Sequence, residues 1–501
     1  MTVSQVHSTR SVAVTTRWIV ISPILAATAI ALYGEELATS TVPTRAVIWG
    51  SLALAAYIAS LLCLLGARQG EMLGLARWNL GSWMLLWYCL TFGLATVTWS
   101  RPQASPANEI AVSSVLRALW LVAVGITFWA IGYCVGPGHP VRRLAIRGVT
   151  ALSKKRTMAV RSKHTPWVIY GIGVIARLFS VLTTGRFGDL GNAASAYSTA
   201  TGYQQILSDL SLFCPLAICA AALQLYRERV PGARTTLIIL FIVELVFGAA
   251  AGGKQSFVIA VLAVAIPMSA TRHRLPKALV IGGIIAFMVA IIPFNQEYRA
   301  SLKVDSRSLS TSQAIEQAPT IIQQALTSQN LFGTIGTSAV YLLQRIQEIS
   351  GPAIILQRTP AQIPFDSSIQ LIETPLTYMV PRALWPGKPI LESSYEFSQQ
   401  YYDIPSTTVS NAAISPIGDL YRHGGWIPVA VGMFIFGCGV RLLDDALNIH
   451  ANPHAILLIV LLFPNIVRGE DDWVGLVAGL PVTILFWVFA TYLIFRPRSL
   501  G

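Results

Sequence analysis

The chain has 501 residues, of which 54% are hydrophobic and only 12% charged, with a mean hydropathy of +0.59. Soluble globular domains carry about 25% charged residues, so there is too little charge here to coat the three soluble domains that the length alone would suggest. Lys and Arg number 36 against 23 Asp and Glu, a net charge of +13, and in so apolar a chain that excess points to membrane sidedness rather than to nucleic acid.

Apolar runs recur along the whole chain at about the length a helix needs to cross a bilayer. In order they are 18–33, 46–66, 80–99, 115–136, 166–184, 206–225, 235–251, 256–270, 278–294, 426–440, 454–467 and 473–495. The runs 256–270 and 454–467 are short, which leaves tilted, re-entrant or broken helices open. Arg10 and Arg17 precede the first run, which reads as a signal anchor, with the chain continuing through eleven more spans. The expected fold class is an all-α polytopic membrane protein of about twelve transmembrane helices. Residues 1–294 form an N-terminal bundle of nine spans, 295–425 a large extracytoplasmic loop with short helices, and 426–501 the last three spans.

Sidedness follows from the cations. The stretch 139–165 holds Arg142, Arg143, Arg147, Lys154, Lys155, Arg156, Arg161 and Lys163 with no acid, and is expected in the cytoplasm. Alternation then places the basic turns 226–234 and 271–277, and both termini, on the same side. Cys63, Cys89, Cys134, Cys214, Cys219 and Cys438 fall in or beside apolar runs without metal-ligand spacing, so neither a disulfide framework nor a metal site is expected.

Charges within spans have costs that call for partners. Arg117 lies near a span end, where its side chain can reach the interface. Arg177 and Glu244 lie deeper and suit either a structural ion pair or a substrate-gripping role, and Asp209 lies near the outer end of its span. The outer turns contain Arg186, Gly252-Gly253-Lys254 and Arg468-Gly469-Glu470-Asp471-Asp472.

The long segment 295–425 breaks the rhythm, and long connections of this kind are often functional. Helical periodicity marks Ala314–Ala325 and Ser338–Leu356. Next comes Pro381-Arg382-Ala383-Leu384-Trp385-Pro386-Gly387-Lys388-Pro389, whose three prolines preclude a continuous helix. Two readings fit it. Arg382 and Lys388 can grip a pyrophosphate with Trp385 stacked on a sugar, or proline and tryptophan simply tuck the loop onto the membrane surface. In Ser415-Pro416-Ile417-Gly418-Asp419-Leu420-Tyr421-Arg422-His423-Gly424-Gly425, a helix would put Asp419 on one face with Arg422 and His423. That face suits either a general base beside a cation or a juxtamembrane ion pair closing the loop. The chain has no Walker A sequence, dinucleotide glycine fingerprint, zincin motif or Gly-x-Ser-x-Gly.

The run VPRALWPGKP (380–389), Tyr401 and Tyr402, SPIGDLYRHGG (415–425) and the glycine-rich GMFIFGCGVR (432–441) together resemble the bacterial O-antigen and oligosaccharide repeat-unit polymerases, the Wzy-like membrane glycosyltransferases. The turn GGKQSF (252–257) is similar to that family's glycine-plus-basic turn, with lysine where arginine is commoner, and aspartate stands in GDLY where glutamate is common. The resemblance implies a metal-independent enzyme of the bacterial cytoplasmic membrane, without cofactor. Its donor and acceptor would be undecaprenyl-pyrophosphate-linked glycans, joined into O-antigen, capsule or exopolysaccharide. Membrane lipids and a chain-length regulator are the further partners, and nucleic acid is not one. Arg382, Lys388, Arg422, Lys254 and Arg345, with Trp385, would hold the pyrophosphate-linked substrate, and Asp419 or His423 would take the acceptor proton. A ligase or single-sugar polyprenyl-phosphate transferase is the sibling alternative. A lipid-linked oligosaccharide flippase is the third, disfavoured by the lack of internal repeats.

Overall fold

The computed structural model describes residues 43–68, 75–99, 110–184, 202–250, 254–287, 346–380, 393–405, 412–450, 452, 454–469 and 472–497, with isolated positions at 291, 343, 344, 384, 385, 387 and 388. The apolar run 18–33 and the stretch Ala314–Ala325 lie outside them, as do Arg186, Arg345 and Arg382.

The described residues form helices at each of the other apolar runs. They are α1 (Pro43–Arg68), α2 (Leu80–Tyr88), α3 (Val112–Val135), α4 (His139–Lys155), α5 (Thr165–Thr184), α6 (Gly202–Ser211), α7 (Phe213–Leu223), α8 (Ala233–Ala250), α9 (Lys254–Arg272) and α10 (Lys277–Ala286). Four short helices follow, α11 (Ser350–Arg358), α12 (Gln370–Met379), α13 (Ser393–Tyr402) and α14 (Pro416–Arg422). The chain closes with α15 (Trp426–Ala446), α16 (Ala455–Arg468) and α17 (Trp473–Ile494). Among the described residues, seven helices are long and apolar enough to cross a membrane, counting the continuous stretches Leu80–Thr98 and Tyr203–Glu228 as one each. This is a helical membrane protein. One departure from an all-α chain is a two-stranded ribbon in which β1 (Arg156–Val160) pairs antiparallel with β2 (Phe495–Pro497).

The core explains the order of packing. Helix α7 is apolar or small on every side and buried throughout, which fits a helix with neighbours all round, and it contacts α5, α8 and α9. Helices α3 and α15 approach most closely. A Cβ on Gly132 would lie 2.1 Å from the Phe434 carbonyl oxygen, and one on Gly437 would lie 2.1 Å from that of Trp129. Small residues let two membrane helices bring their backbones together in this way. Beyond Tyr88, α2 continues through a wide turn at Cys89–Gly93 and a tight one at Leu94–Thr98. There the Thr96 and Thr98 hydroxyls donate to the carbonyls of Phe92 (2.7 Å) and Ala95 (2.8 Å).

Helix α15 extends past the apolar run 426–440 to Ala446, and the charges in that extension have partners. Asp445 accepts from Arg441 at 3.1 Å and lies 2.9 Å from Arg142. Asp444 accepts from Tyr133 Oη (2.7 Å) and from the free N–H groups that open α2, Leu80 (2.6 Å) and Gly81 (3.1 Å).

The turns sort into two ends. Val160 N–H donates to Glu228 Oε1 (2.7 Å), Gln224 Nε2 to the Ser162 carbonyl (2.8 Å) and Asn452 Nδ2 to the Val149 carbonyl (3.4 Å). The His273 and His450 rings lie 4.6 Å apart. These contacts and the β ribbon gather 137–165, 226–234, 271–277, 441–450, 452 and 495–497 at one end of the bundle. At the other end, Ala111 N–H donates to Gln357 Oε1 (2.8 Å), and residues 366–371, 419–425 and 472–473 bond to one another. The buried helix α11 packs on α3 and α14 there.

Candidate functional site

The site is built on α14. Ser415 holds a positive φ of 62° and accepts the Gly418 N–H at 3.2 Å, and Pro416 follows at the first helical position, which fixes where the helix begins. This short helix rests on α3, α11, α15 and α17. Asp419 is therefore fully buried, at 0% exposure.

The spacing of Asp419, Arg422 and His423 becomes contact. Asp419 Oδ1 lies 2.8 Å from Arg422 Nε and 3.7 Å from His423 Nδ1. Its Oδ2 accepts the Trp473 N–H at 2.8 Å. That N–H is one of the unpaired donors opening the 22-residue helix α17, so the carboxylate also meets the positive end of a helix dipole. Asp472 caps the same helix by accepting the Gly475 N–H at 2.7 Å. Arg422 lies 3.5 Å from a second carboxylate, Asp366. Burial alone would lower the Arg422 pKa, but Asp419 first, then Asp366, hold the guanidinium above its ordinary value.

His423 is buried, and its Nδ1 lies 2.8 Å from the Asp419 backbone carbonyl. A carbonyl only accepts, so Nδ1 is the donor in this contact, and the tautomer it selects has its lone pair on Nε2. The His423 carbonyl accepts from Ser368 Oγ, and the Arg422 carbonyl accepts the Asp366 N–H at 2.9 Å. Gly424 and Gly425, with φ of 140° and 79°, turn the chain from α14 into α15. A Cβ on Gly424 would lie 2.9 Å from Ser368 Oγ, so this turn needs glycine twice over.

The other predicted residues lie apart from this cluster or outside the described positions. Lys388 is buried and donates to the carbonyls of Tyr378 (3.0 Å) and Val380 (2.8 Å), clamping the end of α12, with its Nζ 4.6 Å from the Tyr378 ring centre. Trp385 is exposed. Lys254 is the first residue of α9, its side chain outside the described set, as are Arg382 and Arg345 altogether. The deep charges Arg177 and Glu244 form a two-pronged pair, both contacts at 2.8 Å, with Tyr170 Oη donating to Glu244 at 3.3 Å. That geometry is a closed ion pair joining α5 to α8. Among the described residues no three His, Cys, Asp or Glu side chains come together as a metal would require. Asp366, Ser368 and the Trp473 N–H complete the site without any signal in the sequence. Each is an ordinary loop or backbone group, placed by the return of α12 and α17.

Residues 181–469 match the family described as Domain of unknown function (DUF8712). The chain belongs to that family. The DUF8712 match takes in Asp366, Lys388, Asp419, Arg422 and His423, and leaves Arg177 and Trp473 outside. No curated protein and no solved structure matches the chain.

Proposed function

We propose that this protein is a membrane glycosyltransferase that polymerises undecaprenyl-pyrophosphate-linked oligosaccharide repeat units at the outer face of the bacterial cytoplasmic membrane. In this reading the chain crosses twelve times with both termini inside, and the end holding 137–165 is cytoplasmic. The observation that carries the proposal is the buried Asp419–Arg422–His423 cluster at the opposite end, within the motif that resembles the repeat-unit polymerases. Helix α12 ties the two motif segments together: its N-terminal approach bonds to residues 422–423 and its C-terminal carbonyls to Lys388. Ten residues of helix span about 15 Å, a separation that suits a carrier-linked sugar.

The chemistry is a substitution at an anomeric carbon. An acceptor hydroxyl forms the new C–O bond, the bond from that carbon to the pyrophosphate breaks, and the hydroxyl proton passes to a base. His423 is the better-suited base because its Nδ1–H is held by the Asp419 carbonyl, leaving Nε2 to receive the proton. Arg422 has two carboxylate partners already, so its role is to position Asp419 and His423. The charge of the departing pyrophosphate then falls to Arg382, with Lys254 and Arg345 as its helpers.

The experiment is an Arg382→Ala exchange in the native host. Loss of polymer with accumulation of single lipid-linked repeat units, at unchanged protein level in the membrane, is the expected result. Wild-type chain lengths would remove Arg382 from the site. A deletion strain that still made full-length polysaccharide would sink the assignment itself.

A further inference from the structure

Helix α12 has three faces. Leu371, Pro375 and Tyr378 turn toward the protein, where Trp473 Nε1 donates to the Leu371 carbonyl at 3.2 Å. Gln370 and Glu373 occupy a second, exposed polar side. Ile369, Ile372 and Leu376, at helical spacing i, i+3 and i+7, form a third side that is apolar and 56%, 64% and 58% exposed. A helix on the surface of a soluble domain needs two surroundings, protein and water. Three faces call for three surroundings, and the membrane interface supplies protein, hydrocarbon and water together.

The height of α12 agrees. Its N-terminal end is fixed to the first residues of two helices long enough to cross the membrane: to Trp473 directly, and to Trp426 through the Phe365, Tyr421 and Trp426 rings, at 6.0 and 6.1 Å. Tryptophans at such positions mark the headgroup level. Trp426 and Ile427 at the start of α15, and Leu384 and Trp385 later in the chain than α12, are exposed apolar residues as well. Last-turn carbonyls beside hydrocarbon need partners that water would otherwise provide. Lys388, only 5% exposed, bonds two of them and places a cation at the negative end of the helix.

We propose that α12, with Leu384, Trp385 and Lys388, forms a strap lying in the membrane interface, with Ile369, Ile372, Leu376 and Leu384 inserted among the acyl chains of the nearer leaflet. The occupant of this face is bilayer lipid. The segment leading into the strap holds the Arg422 and His423 carbonyls through the Asp366 N–H and the Ser368 hydroxyl, so seating in the bilayer fixes the geometry of the buried cluster. This assignment stands independently of the glycosyltransferase reading.

Nitroxide labels test it. In lipid nanodiscs, with native cysteines replaced, Ile372→Cys and Leu376→Cys are labelled alongside the polar-face controls Gln370→Cys and Glu373→Cys. Power saturation should show the first two accessible to oxygen and shielded from a water-soluble nickel chelate, and the controls the reverse. Equal nickel access at 372 and 373 would overturn the strap. So would shielding of 372 and 376 from both reagents, which means that protein covers the face. A photo-crosslinking residue in place of Ile372 keeps all native cysteines. A phospholipid adduct is expected, and a crosslink to a second copy or another protein would overturn the proposal.

Discussion

Arg422 sits between two carboxylates of different character, Asp419 fully buried at 2.8 Å and Asp366 partly exposed at 3.5 Å. Breaking a buried pair strands its partner and costs about 3–5 kcal/mol, whereas a solvent-screened pair contributes about 0–1 kcal/mol. Asp419→Ala should therefore depress the melting temperature of the detergent-solubilised protein strongly and Asp366→Ala only slightly. Equal shifts would show that Trp473 and Arg422 do not depend on the buried carboxylate. His423→Ala probes another property: turnover should fall by about 10²–10⁴, the usual weight of a general base, while stability moves far less than for Asp419→Ala. The i,i+3 and i,i+4 spacing made Asp419, Arg422 and His423 readable together, because a short helix carries that geometry in the sequence itself. Asp366 and the Trp473 N–H were not readable, since both arrive by tertiary packing. For Arg177 and Glu244 the sequence left two readings, and the two-pronged contact at 2.8 Å favours the structural one. Arg177→Ala should destabilise by about 3–5 kcal/mol, and Arg177→Met combined with Glu244→Leu should recover most of that in thermal melts.

Among the elements, the apolar runs located helices because twenty consecutive apolar residues have few other stable forms in a bilayer. Their ends were less legible. Helix α15 runs to Ala446 since Asp444 and Asp445 are bonded to other elements, and no local signal announces a partner on α2, α3 or α4. The ribbon of β1 with β2 joins residues over 300 positions apart, beyond the reach of any local periodicity. The glycine-rich stretch 432–441 was legible as a pattern, and packing gives its cause: Gly437 opposes the Trp129 carbonyl at 2.1 Å from where a Cβ would be. Gly437→Leu should force α3 and α15 apart. Loss of the monodisperse peak in size-exclusion chromatography would report it, and an unchanged peak and melting temperature would contradict that packing.

Across the whole molecule, the +13 net charge has a geometric counterpart. The turns assigned to one side by their lysines and arginines meet in space, and the acid-bearing segments around 366–373 and 472 meet at the other end. Sidedness predicts chemical access. An impermeant maleimide on intact cells should label Glu373→Cys and reach Thr150→Cys only after permeabilisation, and labelling of both from outside would refute the topology. The reaction itself is the larger claim. Purified protein reconstituted with undecaprenyl-pyrophosphate-linked repeat units of its host should convert them into a ladder of glycans that grows by whole units and disappears with His423→Ala. Transfer of a single increment, or movement of the carrier lipid across the bilayer without any elongation, would contradict the account.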